Sequence, residues 1–348
     1  MNSERIVVSA THPDPVAIAH AAAIIRRGGV VAMPTETVYG LAGDARNPQA
    51  VQAIFTAKGR PANDPLIVHI ADYAQLVGVV GQLPTTFALL SEAFWPGPLT
   101  MLVPKHPDLD PAITAGRESV AVRMPRHAVA LALIRASDCP LVAPSANLFS
   151  RPSPTNADHV LNDLAGRIDA VLDAGSTSIG VESTIIDLTC TPPRILRQGG
   201  VPAEQLATVL GDVTVHTAVV GDSDAAPAPG MLLKHYSPRA PVTIFRGTTP
   251  TIQTHIVTMS QQNPTLAWLC YDDDVAVATQ AQIPYATLGA RDNGAMVATR
   301  LFAAIRELDA LAVTQIVTSE PLGGGVAAAV RDRVFRAAEG RVVTLSLV

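Results

Sequence analysis

Residues 30–45 read VVAMPTETVYGLAGDA, an apolar run followed at once by a polar, glycine-containing segment. The run VVAM predicts a short buried strand. Glu36 and Thr37 lie in the loop after that strand, where Gly40 and Gly43 allow the backbone to approach a ligand closely. A turn whose hydroxyl groups satisfy its own backbone is the alternative. Polar loops held on a sheet are where α/β domains usually carry their sites, so this segment is the first candidate.

The rest of the first 210 residues alternates short apolar runs with helical patterns. Asn47 and Pro48 mark the start of one helix, because asparagine is a favoured N-cap and proline suits the first helical position. Further strands are predicted at IVVS, LIVHI, LTMLV and SVAVR, and helices at PDPVAIAHAAAIIRR, NPQAVQAIFTAK and TNADHVLNDLAG. Because the spacing is too irregular for repeated βαβ units, we expect an α/β domain with a mixed sheet.

From about residue 241 the alternation becomes regular. Apolar strands such as PVTIF, TLAWLCY and TQIVTS alternate with helices such as GAMVATRLFAAIRELDALA. This order predicts a small parallel sheet of Rossmann-like topology. The predicted organisation is therefore a first domain over residues 1–210, a linker over 211–240 and a second domain over 241–348.

Composition and charge narrow the class of protein. The 348 residues are 48% apolar and only 4% aromatic, with a formal net charge of −5. A protein that stacks single-stranded bases usually has more aromatic residues, and a nucleic-acid binder is usually basic. A local basic cleft is still compatible with the acidic net charge, because net charge says little about how charges are distributed. The three cysteines are widely spaced, which favours reduced thiols. No signal-peptide pattern and no apolar run long enough to span a bilayer is found, so we expect a cytoplasmic protein without membrane association.

Several common catalytic motifs are missing from the sequence. It contains no phosphate-binding G-x-x-x-x-G-K-[ST], no H-E-x-x-H and no G-x-S-x-G. Gly323, Gly325 and Ala328 fit G-x-G-x-x-A between a strand and a helix, but too little chain follows for the second half of a dinucleotide fold. A tight turn with close helix packing is the favoured interpretation, and a weak anion site at the helix N-terminus is the alternative.

Cations and hydroxyl groups follow the strand ends of the first domain. Lys58 and Arg60 stand in KGRPANDPLIVHI, where two prolines stiffen the loop and His69 lies in the next strand. Two cations on a rigid loop suit a polyanion such as triphosphate, although the helix dipole also favours cations there. Arg123 ends an apolar strand, where a buried charge needs a partner, so it is a candidate clamp for a carboxylate.

Two further segments add polar groups near strand ends. APSANLFSRPSPTN supplies Ser145, Ser153 and other hydroxyls before a helix, which suits either a phosphate cradle or simple N-capping. VESTIIDL and RILRQGG bring Ser183 and Arg197 to strand ends. Together the segments predict an anion-binding cleft without an evident nucleophile or metal cage. Such a site suits attack of a carboxylate-like nucleophile on a phosphoryl group of ATP, because positioning and charge neutralisation supply most of that catalysis.

The motifs, taken in order, resemble those of one family. PTETVYGL, KGRP, PLIVHI, FWPGPLT, VAVRMP, APSAN, STIID and ILRQG together resemble the YrdC-type threonylcarbamoyl-AMP synthases. KHYSP and PLGGGVAAAVRDRVFRAA resemble the longer, two-domain members of that family. The resemblance implies a YrdC-like twisted mixed sheet with a concave basic face, followed by a Rossmann-like domain.

The resemblance also implies a reaction. Such enzymes combine L-threonine, bicarbonate and ATP into L-threonylcarbamoyladenylate and release pyrophosphate, with Mg2+ held mainly by ATP rather than by the protein. A partner transferase then modifies the adenosine next to the anticodon of tRNA. The resemblance also allows a weak direct contact between this chain and tRNA. The implied class is a nucleotidyltransferase of tRNA processing.

Matching motifs imply which residues carry the reaction. The threonine site would comprise Thr37, His69, Arg123, Ala143 and Ser183. The ATP site would comprise Arg60, Asp64, Ser119, Ser145, Ser153, Arg197 and Tyr236. Lys58 and Arg60 would be the catalytic cations.

The sequence departs from the family pattern at three places. Asp64 stands where the family commonly has asparagine, and its charge would repel phosphate unless Mg2+ or Lys58 intervenes. Ser119 replaces a frequent threonine but keeps the hydroxyl group. Phe149 and Ser150 replace a usual Ser-Gly pair, which predicts a different shape for the loop on the adenosine side.

Two other functions and one conformational hypothesis complete the expectations. An RNA-binding module that uses the basic face without making an adenylate is the alternative function, weakened by the acidic net charge. A related carbamoyl-phosphate-dependent transferase would carry acylphosphatase and zinc-finger segments, which the sequence lacks. The linker DAAPAPGMLLKHYSPRAPV, residues 224–242, combines a tether with a polar cluster at Lys234, His235 and Tyr236. It predicts a lid across the first domain's cleft, with packing of Tyr236 at a domain interface as the alternative.

Overall fold

The structure is a computed structural model that describes residues 2–216, 228–231 and 235–345. The chain divides into two compact units. The first unit comprises Met1–Phe149 and Ser153–Met231, and the second comprises Ser150–Pro152 and Leu232–Val348. The short segment Ser150–Pro152 therefore belongs with the second unit, although the chain on either side of it belongs with the first.

The described part of the first unit contains eleven strands and seven α-helices. The strands are β1 (Glu4–Val7), β2 (Val31–Met33), β3 (Gly40–Asp44), β4 (Ile67–His69), β5 (Leu99–Pro104), β6 (Ser119–Arg123), β7 (Leu141–Val142), β8 (Ala170–Asp173), β9 (Thr184–Asp187), β10 (Arg194–Arg197) and β11 (Thr214–Val215). The helices are α1 (Pro15–Arg26), α2 (Pro48–Lys58), α3 (Thr85–Phe94), α4 (Pro111–Thr114), α5 (Ala128–Ser137), α6 (Ala157–Leu164) and α7 (Ala203–Leu210).

These strands form one mixed sheet in the order β1-β8-β2-β3-β7-β4-β6-β5-β9-β10-β11. Strand β4 runs parallel to β6 and antiparallel to β7, while β5 runs antiparallel to β6 and parallel to β9. In the second unit the strands are β12 (Val242–Arg246), β13 (Leu266–Cys270), β14 (Tyr285–Thr287), β15 (Gln315–Ser319) and β16 (Val342–Thr344), and the helices are α8 (Thr249–Gln262), α9 (Val275–Gln280), α10 (Gly294–Ala310) and α11 (Val326–Ala337). Its sheet has the order β14-β13-β15-β12-β16, and all four of its strand pairs are parallel. The predicted α/β class, with a mixed sheet and a smaller parallel sheet, is confirmed.

Alternating residues of the first sheet pack against two separate cores. In β2, Ala32 belongs to a large core, whereas Val31 and Met33 belong to a second core that includes residues of α1 and α5. Successive side chains of a strand point to opposite faces, so the two cores lie on opposite faces of the sheet. This double burial explains why VVAM reads as an uninterrupted apolar run.

The segment after β2 differs from its prediction as a loop. Gly40–Asp44 form β3, which pairs antiparallel with β2 in the register Met33↔Gly40. The turn between the strands is held by Thr35, whose Oγ1 donates to Val38 O at 2.6 Å and accepts from Val38 N at 3.3 Å. Glycine at position 40 also allows β3 to pack closely against Ala143, because a Cβ on Gly40 would lie only 3.2 Å from Ala143 Cβ. The prediction of a loop over residues 40–44 is therefore wrong, since a glycine-rich segment here packs closely as a strand.

Local capping sets the start of α2 as the sequence predicts. The Asn47 side chain accepts hydrogen bonds from Gln49 N and Ala50 N, and Pro48 occupies the first turn. The helix ends after Lys58 at Gly59, whose φ of 63° is the left-handed conformation that glycine adopts without strain. These two ends fix the position of Lys58 at the last turn.

The turn before α11 agrees with its interpretation from the sequence. Gly323 and Gly325 have φ of 102° and 62°, and Gly325 is the N-cap residue of α11, which agrees with the tight-turn interpretation of G-x-G-x-x-A. Cys139, Cys190 and Cys270 are free. Across the described ranges, every helix is too short or too polar to cross a bilayer.

Gly199 offers a test of how the end of β10 is packed. A Cβ at this position would lie 2.3–2.4 Å from the main chain of residues 182–184, which cannot move as a flexible side chain would. We expect Gly199→Ala to lower the free energy of unfolding by about 2 kcal/mol or more, and Tm by about 4–8 °C. Gly247→Ala is the matched control, because its Cβ would meet neighbours at ordinary distances of 3.5–3.6 Å. Equal Tm values for the two variants in thermal unfolding would contradict this packing argument.

Candidate active site

Adjacent strands bring three predicted threonine-site residues to one face of the first sheet. Val122 and Val68 point into the large core, so Arg123 and His69 point to the opposite face. The two residues are direct neighbours, because β4 and β6 pair in the register His69↔Arg123. Ala143 follows β7 on the same face, where it belongs to the second core. Register and alternation thus bring these residues together.

Arg123 is the centre of a buried polar cluster. Only 4% of the residue is exposed. Its Nε donates to Gly97 O at 3.2 Å, and its Nη1 donates to Thr37 Oγ1 at 3.0 Å. Its Nη2 lies 2.8 Å from Glu36 Oε1, so the two side chains form a buried ion pair. Thr37 and Arg123, predicted to bind the same ligand, are therefore in direct contact.

His69 is a neutral group in this cluster. Burial, together with the neighbouring Arg123 charge, lowers its pKa from 6.5 to about 3. Its Nδ1 lies 3.3 Å from Ile67 O. When Nδ1 donates to this carbonyl, Nε2 remains an acceptor that faces the ligand side of the sheet. A neutral imidazole beside a guanidinium suits a hydroxyl ligand better than an anionic one.

Lys58 is bound by the main chain of the loop after β7. Its Nζ donates to Ser145 O at 2.5 Å and to Asn147 O at 2.6 Å. The residue is 2% exposed, and burial together with the positive charge of Arg60 holds its pKa well below the usual range. Two of its three N–H groups thus fasten the segment that carries Ser145. This positioning role adds to the predicted neutralisation of phosphate or bicarbonate.

Arg60 and Asp64 form a buried ion pair. Arg60 Nη2 lies 2.9 Å from Asp64 Oδ2 and donates to Pro65 O at 2.7 Å. Burial raises the pKa of Asp64, while the charges of Arg60, Lys58 and Arg197 act in the opposite direction. The Asp64 carboxylate thus lies among three cations. Its negative charge therefore pairs with the Arg60 guanidinium, which the resemblance assigns to ATP binding.

Ser183 and Arg197 are joined across β9 and β10. Arg197 Nη2 donates to Ser183 O at 2.9 Å and to Ser183 Oγ at 3.1 Å. Ser183 Oγ also lies 2.7 Å from Thr100 Oγ1. Both residues are buried, so the hydroxyl group and the guanidinium of this pair have fixed positions.

Two predicted ATP contacts lie apart from Arg123. Ser119 begins β6 and Arg123 ends it, so four residues of strand separate their Cα atoms by about 13 Å. Because side chains alternate, both point to the same face of the sheet. Ser153 is buried and its Oγ donates to Glu182 Oε1 at 2.5 Å. Ser119 and Arg123, predicted for the ATP site and the threonine site, thus lie at opposite ends of one strand.

Tyr236 belongs to the second unit. Its φ is +62°, and its ring centroid lies 4.0 Å from that of His235 and 5.3 Å from that of Phe302. The Arg333 guanidinium lies 5.2 Å from the ring centroid. These contacts hold the tyrosine ring within its own unit, and its predicted contact with ATP remains a prediction.

Most of the predicted lid lies outside the described residues. Residues 217–227 and 232–234, which include Lys234, are not described. Within the first unit, Arg197 Nη1 donates to Pro229 O at 3.0 Å. Pro229, a described residue of the predicted linker, is therefore bound to Arg197, a predicted ATP-binding residue. Closure of the linker over a substrate remains a prediction.

Known proteins share this architecture and these motifs. A family model of Sua5, YciO and YrdC proteins, described as "Telomere recombination", matches residues 23–199. A second model, described as "Threonylcarbamoyl-AMP synthase, C-terminal domain", matches residues 201–339. The threonylcarbamoyl-AMP synthase of Bacillus subtilis is 43% identical, with 94% of each chain covered. The chain belongs to the threonylcarbamoyl-AMP synthase family.

Relatives of this family align with nearly the whole chain. The threonylcarbamoyl-AMP synthase of Pyrococcus abyssi is 42% identical over 93% of this chain and 94% of its own length. The crystal structure of P. abyssi Sua5 complexed with L-threonine has a TM-score of 0.90 and 40% identity, and covers 99% of this chain and 100% of its own. The resemblance inferred from the motifs, including the two-domain form, is confirmed.

Sequence reasoning left two carboxylates of the candidate site without a role. Glu36 pairs with Arg123, and Glu182 accepts from Ser153. Each carboxylate is adjacent in sequence to a predicted ligand residue, Thr37 or Ser183. The signal that could have revealed the role of Glu36 is the predicted burial of Arg123, because a charge buried without a partner is costly. A carboxylate in a neighbouring loop is the natural partner for such a cation.

The lowered pKa of His69 predicts a specific loss of stability in acid. In the folded chain the ring stays neutral down to about pH 3, whereas in the unfolded chain it takes up a proton below about pH 6.5. Unfolding therefore gains a proton in this window, and stability falls with decreasing pH by up to about 1.4 kcal/mol per pH unit. We expect His69→Gln to show a shallower fall of the unfolding midpoint between about pH 7 and pH 4. His20→Gln, at an exposed position, should keep the wild-type slope. Equal slopes for all three proteins would contradict a buried neutral His69.

Proposed function

We propose that this chain synthesises L-threonylcarbamoyladenylate from L-threonine, bicarbonate and ATP and releases pyrophosphate, as a nucleotidyltransferase. The product would feed a partner transferase that modifies the adenosine next to the anticodon of tRNA, in the cytoplasm. Full-length similarity to P. abyssi Sua5, whose structure is complexed with L-threonine, supports the amino acid substrate. A weak direct contact with tRNA is part of the proposal but not of the chemical step.

The arrangement of Thr37, His69 and Arg123 carries this proposal. The Arg123 guanidinium donates hydrogen bonds to Gly97 O and Thr37 Oγ1, which orient it. It retains further N–H groups on Nη1 and Nη2 that can bind a carboxylate. The neutral His69 beside it suits the hydroxyl group of threonine. Ala143 on the same face and the Ser183 hydroxyl complete the proposed threonine site, with Ala143 presenting its backbone.

Buried cations support the proposal of an ATP site. Lys58, Arg60 and Arg197 are each less than 10% exposed. A triphosphate is an anion that such preorganised cations stabilise, and more strongly in a site with little water. The proposed ATP contacts are Arg60, Asp64, Ser119, Ser145, Ser153, Arg197 and Tyr236.

Mg2+ is proposed to accompany ATP. Among residues 2–216, 228–231 and 235–345, no group of three or more His, Cys, Asp or Glu side chains could hold a metal ion. The cations, hydroxyls and carbonyls of the site fit the phosphate oxygens of a metal–nucleotide complex, and Asp64 is the carboxylate among the proposed ATP contacts. Mg2+ usually binds through one or two carboxylates and substrate phosphates, and it would supply charge neutralisation at those phosphates.

The proposed reaction needs no covalent intermediate with the enzyme. The amine of threonine attacks the carbon of bicarbonate, water leaves, and N-carboxy-threonine forms. A carbamate oxygen then attacks the α-phosphorus of ATP, and the bond to pyrophosphate breaks. Arg123 orients the amino acid while Lys58 and Arg60 neutralise negative charge that develops at the phosphates.

The decisive experiment incubates the full chain with ATP, bicarbonate and each amino acid in turn. We expect pyrophosphate release and a threonylcarbamoyl adenylate with L-threonine, and a preference over serine of about 10–200-fold, the range that one methyl group allows. Arg60→Ala and Lys58→Ala should each lower the rate by at least about tenfold, because each removes charge-assisted hydrogen bonds. Arg46→Ala, at an arginine 61% exposed in its side chain, is the matched control. Pyrophosphate release independent of threonine would contradict the proposal, and wild-type rates in Lys58→Ala or Arg60→Ala would contradict the assignment of these cations.

Asp64 gives a second prediction about the nucleotide. Asp64→Asn removes a negative charge 2.9 Å from Arg60, so KM for ATP should fall by about tenfold, with KM for threonine unchanged. Since burial raises the pKa of Asp64, wild-type Asp64 takes up a proton as the pH falls, and the difference from Asp64→Asn should then shrink. Initial rates at several pH values measure this difference. An increased KM for ATP in Asp64→Asn would mean that the carboxylate orients Arg60 rather than opposes phosphate.

A further inference from the structure

Glu36 presents a buried carboxylate whose oxygens accept no hydrogen bond from the described residues. The residue is 3% exposed. Within the part of the chain that the structure describes, neither Oε1 nor Oε2 accepts a hydrogen bond. Its main chain is firmly held, since Glu36 O accepts from Ile179 N at 2.8 Å. Buried carboxylates normally accept several hydrogen bonds, so these oxygens are arranged for donors from another molecule.

The charge next to Glu36 defines what such a donor must be. Oε1 lies 2.8 Å from Arg123 Nη2, and Nη1 of the same guanidinium donates to Thr37 Oγ1. His127 lies close enough for the Glu36 charge to raise its pKa, although burial lowers that pKa more strongly. A cation and an anion therefore stand side by side in one buried cluster.

We infer that Glu36 binds the ammonium group of the amino acid substrate while Arg123 binds its carboxylate. This inference rests on the proposed function. An α-amino acid carries an ammonium and a carboxylate on one carbon atom, so it fits a carboxylate and a guanidinium that are direct neighbours. The ammonium brings three N–H donors to the two Glu36 oxygens, which accept no hydrogen bond among the described residues. Arg123 keeps N–H groups for the substrate carboxylate.

This role makes Glu36 a specificity-determining residue. A hydroxy acid or a simple carboxylic acid would bring a second carboxylate to Arg123 without an ammonium to compensate the Glu36 charge. Because an unsatisfied buried charge is costly, the site discriminates against ligands without the amine. The amine is also the group that must attack bicarbonate, so its recognition selects the reactive substrate.

The test measures binding without ATP, by calorimetry on the full chain. The ligands are L-threonine and 3-hydroxybutanoate, which has the carbon skeleton and hydroxyl of threonine without its amine. In Glu36→Gln we expect the affinity for L-threonine to fall by about tenfold to a hundredfold, the range of a charge-assisted hydrogen bond. The affinity for 3-hydroxybutanoate should stay the same or rise, so the preference for the amine should disappear. Glu92→Gln, at an exposed glutamate, is the matched control.

Each other outcome has a defined meaning. Equal losses for both ligands would overturn the inference, because Glu36 would then only orient Arg123. Unchanged or tighter threonine binding would also overturn it, since Glu36 would then occupy the place of the substrate carboxylate. A wild-type chain that binds no L-threonine would instead contradict the proposed function itself.

A second variant keeps the test decisive if Glu36→Gln does not fold. Glu36→Asp retains the charge but withdraws it by one methylene group, so the preference for the amine should weaken while 3-hydroxybutanoate binds as in the wild type. Thermal unfolding identifies whether either variant is folded. An unchanged preference in folded Glu36→Asp would overturn the inference.

Discussion

Compensation of buried positive charge is the constraint on which the first unit depends. Lys58, Arg60, Arg123 and Arg197 are each less than 10% exposed, although burial of an unpaired cation would cost several kcal/mol. Main-chain carbonyls compensate Lys58 and Arg197, and carboxylates as well as carbonyls compensate the other two. The loops that connect the strands must therefore adopt the conformations that bring these oxygens inward. Folding of the loops and preorganisation of the site are the same event.

Local sequence signals predict much of the first unit because they act over a few residues. Asn47 and Pro48 start α2 as expected, and the alternation in β6 sends Arg123 to the face opposite the large core. The strand Gly40–Asp44 was not predictable in this way. Its glycines contribute no apolar side chains, and the close packing of Gly40 against Ala143 depends on a residue about 100 positions away in the sequence. Similarly, no pattern reveals that the Glu36 oxygens accept no hydrogen bond among the described residues.

The second unit shows both the strength and the limit of pattern reading. Its regular alternation of strands and helices predicts the parallel sheet that the structure has. Ser150–Pro152 belongs with this unit through contacts between distant positions, which include an ion pair. Arg151 Nη2 lies 2.6 Å from Asp309 Oδ2, and Asp309 Oδ1 accepts from Arg239 N at 2.6 Å. One carboxylate thus joins three segments that sequence analysis treats as separate.

The choice of main-chain partners for Lys58 affects which sequences this fold tolerates. Every amino acid supplies a carbonyl oxygen, so the side chains at 145 and 147 can change without leaving the ammonium unpaired. Phe149 N donates to Lys58 O, again through atoms common to all residues except proline. The adjoining Phe149 and Ser150 depart from the usual family pair and leave this anchoring intact. The lysine therefore separates the shape of the loop from its side-chain chemistry, so substitutions at 145 and 147 can alter side-chain contacts while the carbonyls keep the backbone of the loop in place.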